Sequence, residues 1–273
     1  MHYKKIVTMS ATANYAAVKI FPAYHKGGKN RSQKKNATSE AAIKRNKKAM
    51  TMKVWTKIVS NFSDGDWFLT LTYSDAPTTK TEAATLFRQF KRKIKKECAK
   101  QNIEVRSIWT PPEIGKEKGR LHHHLVINKE VPLNLIQTYW TYGVVNVSRL
   151  DEEKYKTAYY GLAEYIVKDT AENYDRKRDL HKKAYNCTKN LLEGITKKTM
   201  VKKQVVTVPK VWQLVEESLN EYLDEYTGEL ILEYKLKSID PRPNTRWFKG
   251  KKIPISEAYT MAKEYIEEQL SLF

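Results

Sequence analysis

The chain is poor in the features that would place it outside a reducing, aqueous setting. It has only two cysteines, Cys98 and Cys187, far apart. Two distant cysteines make neither a disulfide framework nor a zinc-finger spacing, so a reducing interior is expected. No apolar run approaches the roughly 18 residues that a membrane-spanning helix needs. The opening segment MHYKKIVTMSATANY has no continuous apolar stretch, so no secretory leader is expected. No G-x-x-x-x-G-K-[ST] occurs, so no fused P-loop helicase is expected. No internal repeat is evident. Acid is scarce too: 31 Asp+Glu stand against 50 Lys+Arg, a formal charge of +19. A polyanion, first of all nucleic acid, is the expected partner of such an excess. Hydrophobic residues at 41% supply a real core and exclude wholesale disorder.

From Lys26 to Lys57 there are eleven Lys/Arg and a single acid, Glu40. The first part of this run reads as a flexible arm. Ile43, Met50, Val54 and Ile58 then mark a helix over 41–59, whose basic outer face either is solvated or contacts phosphate. The alternation in DWFLTLTY gives a strand over 66–73, with Trp67, Leu69 and Leu71 on one face and Phe68, Thr70 and Thr72 on the other. Helix follows over 81–100, strand over 103–109, a polar loop, strand over 121–128, helix over 133–140, strand over 143–147 and helix over 152–169. This order, βαββαβα, predicts an α+β fold: a central antiparallel sheet of about five strands with helices on one face. Residues 175–203 show no strong period. Val211–Tyr234 holds seven acids and no Lys/Arg, which reads as a solvated helix or a partner contact. A last helix is expected over 256–272. The expected division is a basic arm over 1–37, a central domain over 38–204 and a C-terminal extension over 205–273.

Three consecutive histidines, 122–124, lie in the strand LHHHLVIN. Alternate strand side chains share a face, so His122 and His124 project together while His123 points away with Leu121, Leu125 and Ile127. Two imidazoles on one sheet face are ready ligands for a divalent ion. Glu113 lies across the hairpin closed by the loop 114–120 and can approach His122. Two imidazoles and one carboxylate with open positions suit Mg²⁺ or Mn²⁺ when phosphate oxygens complete the shell. The plainer alternative is a polar strand with incidental histidines.

The segment AYYGLAEYIVKD places Tyr165 and Lys168 at i and i+3, on one helix face. A phenol near a cation is biased toward phenolate, a usable nucleophile at phosphorus. Gly161, one turn earlier on the same side, is expected to leave room for a DNA phosphate. Against this stands ordinary helix chemistry, with Glu164 and Lys168 as an i,i+4 pair.

Three segments in this order, FLTLTY (68–73), E-I-G…GRLHHHLVI (113–127) and Y-I-V-K (165–168), resemble the motifs of the HUH endonucleases. More narrowly they resemble the single-tyrosine rolling-circle replication initiators (Rep) of small plasmids and phages. The resemblance covers roughly 40–190 and takes in Trp140, Gly143 and Val145 after the histidines. It implies an HUH-like core with a C-terminal extension, His122, His124 and Glu113 as ligands of Mg²⁺ or Mn²⁺, Tyr165 as nucleophile and Lys168 as its helper. The middle position, His123, departs from the usual hydrophobe. Thr70, Thr72, Tyr73 and Arg120 are the implied DNA contacts, and Trp109 is an aromatic whose expected role is packing.

The implied substrate is single-stranded DNA at a replication origin. Nicking would leave a 5′-phosphotyrosine and a free 3′-hydroxyl, and strand transfer would rejoin the ends. A host helicase and polymerase are the expected partners, with no membrane, in the cytoplasm of a bacterial host. A conjugative relaxase or a single-tyrosine transposase would share this chemistry. A non-catalytic DNA-binding protein or a zinc hydrolase would not.

Overall fold

The computed structural model describes residues 2–23, 40–74, 79–114, 120–175, 185–225, 227–241, 247–248, 251–252 and 269–273. In chain order its elements begin with β1 (Tyr3–Met9), β2 (Tyr15–Pro22), α1 (Glu40–Asn61), β3 (Trp67–Tyr73), α2 (Lys80–Lys100), β4 (Ser107–Trp109), β5 (Glu113–Ile114) and β6 (Leu121–Ile127). Next come α3 (Leu133–Tyr139), β7 (Gly143–Arg149), α4 (Glu152–Tyr155), α5 (Tyr160–Asp175), β8 (Asn186–Cys187) and β9 (Ile195–Val201). The last are β10 (Trp212–Leu214), β11 (Asn220–Leu223), β12 (Leu230–Ser238), β13 (Trp247–Phe248) and β14 (Lys251–Lys252). The fold is α+β, with antiparallel sheets flanked by helices. The chain divides into two compact units, Asn61–Tyr155 with Gly161–Leu191, and Met1–Ser60 with Lys156–Tyr160 and Leu192–Phe273.

The first of these is built on a six-stranded sheet in the order β7-β3-β6-β4-β8, with β5 pairing β6. Period-two alternation sorts its side chains. Leu69, Leu71 and Tyr73 of β3 and Leu121, Leu125 and Ile127 of β6 face one way, onto Ala83, Phe87, Phe90, Ile94 and Cys98 of α2 and Ile136 of α3. Each of these large apolar side chains contributes roughly 1.5–3 kcal/mol by leaving water. Helix α2 starts where a capping box allows. Thr79 Oγ1 accepts the Glu82 N–H, and Glu82 Oε2 accepts the Thr79 N–H, each at 3.2 Å. The strand expected over 103–109 is shorter, because the ladder to β6 begins only at the Ser107–Ile127 pair. Before it, the Arg106 N–H donates to the side-chain Oδ1 of Asn128 instead.

The helix expected over 152–169 is two helices. Lys156, Thr157, Ala158 and Tyr159 all have φ between 47° and 63°, a left-handed turn that separates α4 from α5. Such a conformation costs L-residues about 1–2 kcal/mol each, so the surroundings must hold it. Ala158 and Tyr159 are buried, and the indole N–H of Trp55 donates to the Ala158 carbonyl at 2.7 Å. Helices also flank both faces of the sheet. Tyr165 of α5 lies against Phe68 on the face opposite α2 and α3.

The second unit carries another six-stranded antiparallel sheet, β10-β12-β2-β1-β9, with β11 pairing β12. Val7, Met9, Ala16, Val18 and Ile20 share its buried face with Trp212, Leu232, Tyr234 and Leu236. Residues 3–22, read as part of a basic arm, are thus a structural hairpin; 24–39 lie outside the described residues. The acidic stretch 211–234 forms β10, β11 and the start of β12 rather than a solvated helix. Its acids answer the unit's own bases: Glu233 meets Lys19 at 3.0 Å and Lys48 at 2.7 Å, and Glu225 meets Lys44 at 3.2 Å. The basic face of α1 is therefore largely paired within the unit, Lys57 with Glu193 included. The helix expected over 256–272 lies outside the described residues except for its last turn.

Candidate metal centre and nucleophile

Register brings the candidate residues together. Across β3 and β6, Thr70 stands opposite His124 and Thr72 opposite His122. Across β5 and β6, Glu113 stands opposite His122, the approach that the hairpin predicts. The Nε2 atoms of His122 and His124 lie 3.9 and 3.8 Å from Glu113 Oε2. One ligand atom from each of the three residues lies within 4.8 Å of the other two.

Both imidazoles are held at their other nitrogen. His124 Nδ1 hydrogen-bonds Thr70 Oγ1 at 3.2 Å, and His122 Nδ1 meets the Arg120 carbonyl at 3.4 Å. With Nδ1–H donating in each, both Nε2 lone pairs are turned toward the Glu113 carboxylate. Thr110 fixes the strand itself: its Oγ1 accepts the His124 N–H at 3.0 Å. Phe68 stacks on the His124 ring, with centroids 5.7 Å apart and planes 18° apart. The donor set, two imidazole nitrogens and one carboxylate oxygen on a partly open face, fits a divalent cation.

Tyr165 completes the cluster. Its Oη lies 3.0 Å from His124 Nε2, and its ring meets Phe68 edge-on. It remains 47% exposed, so the phenol is open to a substrate. Lys168 is exposed one turn on, and among the described residues it makes no ion pair with Glu164. Gly161 has a different reason from the expected one. A β-carbon there would sit 2.6 Å from the Tyr155 carbonyl oxygen, so the glycine lets α5 approach the end of α4.

Other candidates fall elsewhere. Thr72 faces the site side of the sheet, and Arg120 is exposed at the start of β6. Tyr73 is not brought to the site. It is buried on the α2 face, its hydroxyl donates to the Ala83 carbonyl at 2.7 Å, and burial pushes its pKa well up. Trp109 is covered by the Lys91 ammonium, 3.0 Å from its ring centroid. His123 also faces α2, as the alternation predicts, and stacks on Phe87 at 4.2 Å. Sequence reasoning missed Phe68, Thr110 and Tyr155 as neighbours of the site. Alternation put Phe68 on the right face, but only the pairing of β3 with β6 carries it to the imidazole.

Fold and cluster together define an α+β protein with a three-donor cation site beside an accessible phenol. Residues 66–170, which contain every member of that cluster, match the replication-associated protein family named for ORF2. The match points to a role in DNA replication. No curated protein and no solved structure matches the chain.

Proposed function

We propose that this chain is a replication initiator of the HUH type that nicks single-stranded origin DNA through Tyr165. The observation that carries the reading is the 3.0 Å approach of Tyr165 Oη to His124 Nε2, beside Glu113 and His122. Glu113, His122 and His124 hold the cation, with Thr70 and the Arg120 carbonyl orienting the imidazoles. A bound Mg²⁺ or Mn²⁺ ion supplies polarisation of the scissile phosphate and offsets its charge as the bond breaks. Tyr165 Oη attacks phosphorus and the P–O3′ bond breaks. The products are a 5′-phosphotyrosine and a 3′-hydroxyl, which gains the proton that the phenol gives up. Lys168, on the same side of α5, stabilises the phosphate or the phenolate. Attack by a 3′-hydroxyl on the phosphotyrosine reverses the step and rejoins ends without ATP.

The free 3′-hydroxyl serves a host polymerase, and a separate helicase opens the duplex. These partners put the protein in the cytoplasm of a bacterial host. Among the described residues no helix is long and apolar enough to cross a membrane. The test is a labelled single-stranded origin oligonucleotide incubated with the protein and Mn²⁺, resolved on a denaturing gel. A covalent protein–DNA band is expected from the wild type and none from Tyr165→Phe. An undiminished band from that variant overturns the assignment.

A further inference from the structure

The outer face of α2 carries six cations in nine residues: Arg88, Lys91, Arg92, Lys93, Lys95 and Lys96. All but the half-buried Lys91 are exposed. Arg88 with Arg92, Lys91 with Lys95 and Arg92 with Lys96 are like-charge pairs at i,i+4, an arrangement that weakens a helix. Among the described residues the ion pair found on α2 is Lys100 with Glu97, beyond this cluster. The contrast with α1 is direct, since Lys44, Lys48 and Lys57 there all meet glutamates. The crowding is felt at Lys91, which burial first and Arg88 second pull down to about 8. A helix that carries this repulsion without internal counter-charge is shaped for an anionic partner.

The partner's form follows from the surface. Arg88, Arg92 and Lys95 run along one straight helical stripe, at about 1.5 Å of rise per residue. A single strand is gripped by aromatic platforms on which bases stack. The aromatic beside this stripe, Trp109, is covered by Lys91 instead. The stripe belongs to the helix that packs on Leu69, Leu71 and Leu125, so it lies on the opposite side of the sheet from Glu113, His122 and His124. We infer that the outer face of α2 binds the phosphate backbone of double-stranded DNA without reading its sequence. The choice of polyanion rests on the replication reading.

The test uses the full chain and a fluorescent duplex of about 30 base pairs with no origin, titrated by anisotropy over a salt series. Every phosphate that a variant no longer neutralises should lower the slope of log K against log salt by about 0.9. Arg88→Gln/Arg92→Gln/Lys95→Gln is therefore expected to flatten it by about 2–3, with cleavage of single-stranded substrate unchanged. Lys198→Gln/Lys202→Gln/Lys203→Gln removes the same charge from exposed positions in and just after β9 and is expected to leave the slope alone. An unchanged slope in the α2 variant overturns the inference. So does an equal drop in both variants, which would reflect net charge only. Loss of single-strand cleavage in the α2 variant also overturns it, because the stripe would then serve the nicking site. If the wild type forms no covalent adduct while the α2 variant alone loses slope, the duplex surface stands and the nicking reading falls.

Discussion

His123 and His124 are adjacent in β6, carry the same side chain, and are both buried, at 1% and 5% exposure. The sheet nevertheless gives them opposite chemistry. His123 lies under α2 between the rings of Phe87 and Tyr73, with Nδ1 bonded to the Thr110 carbonyl at 3.1 Å. Burial pulls its pKa down to about 4, against the smaller upward pull of that carbonyl, so it is a neutral core residue. His124, turned to the other face, has Glu113 at 3.8 Å, Thr70 at 3.2 Å and Tyr165 at 3.0 Å. Burial does not separate the two. The polar company does: a carboxylate and two hydroxyls on one side, aromatic rings on the other.

Removing each imidazole in turn puts that contrast under the most strain. His124→Ala should lower Mn²⁺ affinity by about 100-fold or more, read by titration calorimetry, and abolish adduct formation. His123→Leu should leave Mn²⁺ affinity within about twofold, because its ring faces away from the donors. Its effect belongs to stability in acid. The unfolded imidazole takes up its proton near 6.5 and the folded one near 4. Between those values the unfolded state binds more protons, so wild-type stability falls as the pH drops from about 6.5 to about 4. The gap corresponds to roughly 3 kcal/mol. Denaturant titrations at neutral and acid pH should show His123→Leu spared that loss. Equal acid losses in both proteins would mean that His123 is not the neutral core residue its surroundings imply.

The two faces of β6 are legible in the sequence because strand alternation needs only the residues of one strand. Glu113 is legible because a hairpin loop fixes register locally. Thr70 as the anchor of His124 is not, since it depends on β3 pairing with β6 across an intervening helix. The hairpin β1–β2 is hidden by Lys5, which occupies a core-facing position between Tyr3 and Val7. It is 4% exposed, and its ammonium donates to the Phe273 carbonyl at 3.3 Å. Glu233 similarly disguises β12, because its partners Lys19 and Lys48 are far away in the chain. The break before α5 lies beyond any pattern of apolar residues, because left-handed φ angles in Lys156–Tyr159 involve no glycine.

A smaller effect probes the functional face alone. Gly161→Ala sets a β-carbon against the Tyr155 carbonyl, at 2.6 Å in the present geometry, so the start of α5 must shift. A displacement of about 1 Å at a reacting group can cost up to about 100-fold, so a loss of about tenfold or more in nicking rate is expected. Mn²⁺ affinity should hold, since all three donors lie on β5 and β6. A harmless alanine with a damaging leucine would instead return this glycine to the DNA, as space for a phosphate.

The smallest change tests what company means for a histidine. Thr70→Val keeps the shape and removes the hydroxyl that meets His124 Nδ1. The imidazole then loses the bond that fixes its tautomer and aims Nε2 at Glu113. Outer partners of this kind are worth about 10- to 100-fold in metal affinity. About tenfold weaker Mn²⁺ binding is expected by calorimetry, since the stacked Phe68 still limits rotation of the ring. Thr70→Ser keeps the oxygen and should bind as the wild type does. The counterpart at His122 is the Arg120 carbonyl, which no side-chain replacement removes, so His122 stays aimed in both variants. If Val and Ser weaken binding alike, the methyl group rather than the hydroxyl supports the site, and His124 is oriented by packing just as His123 is.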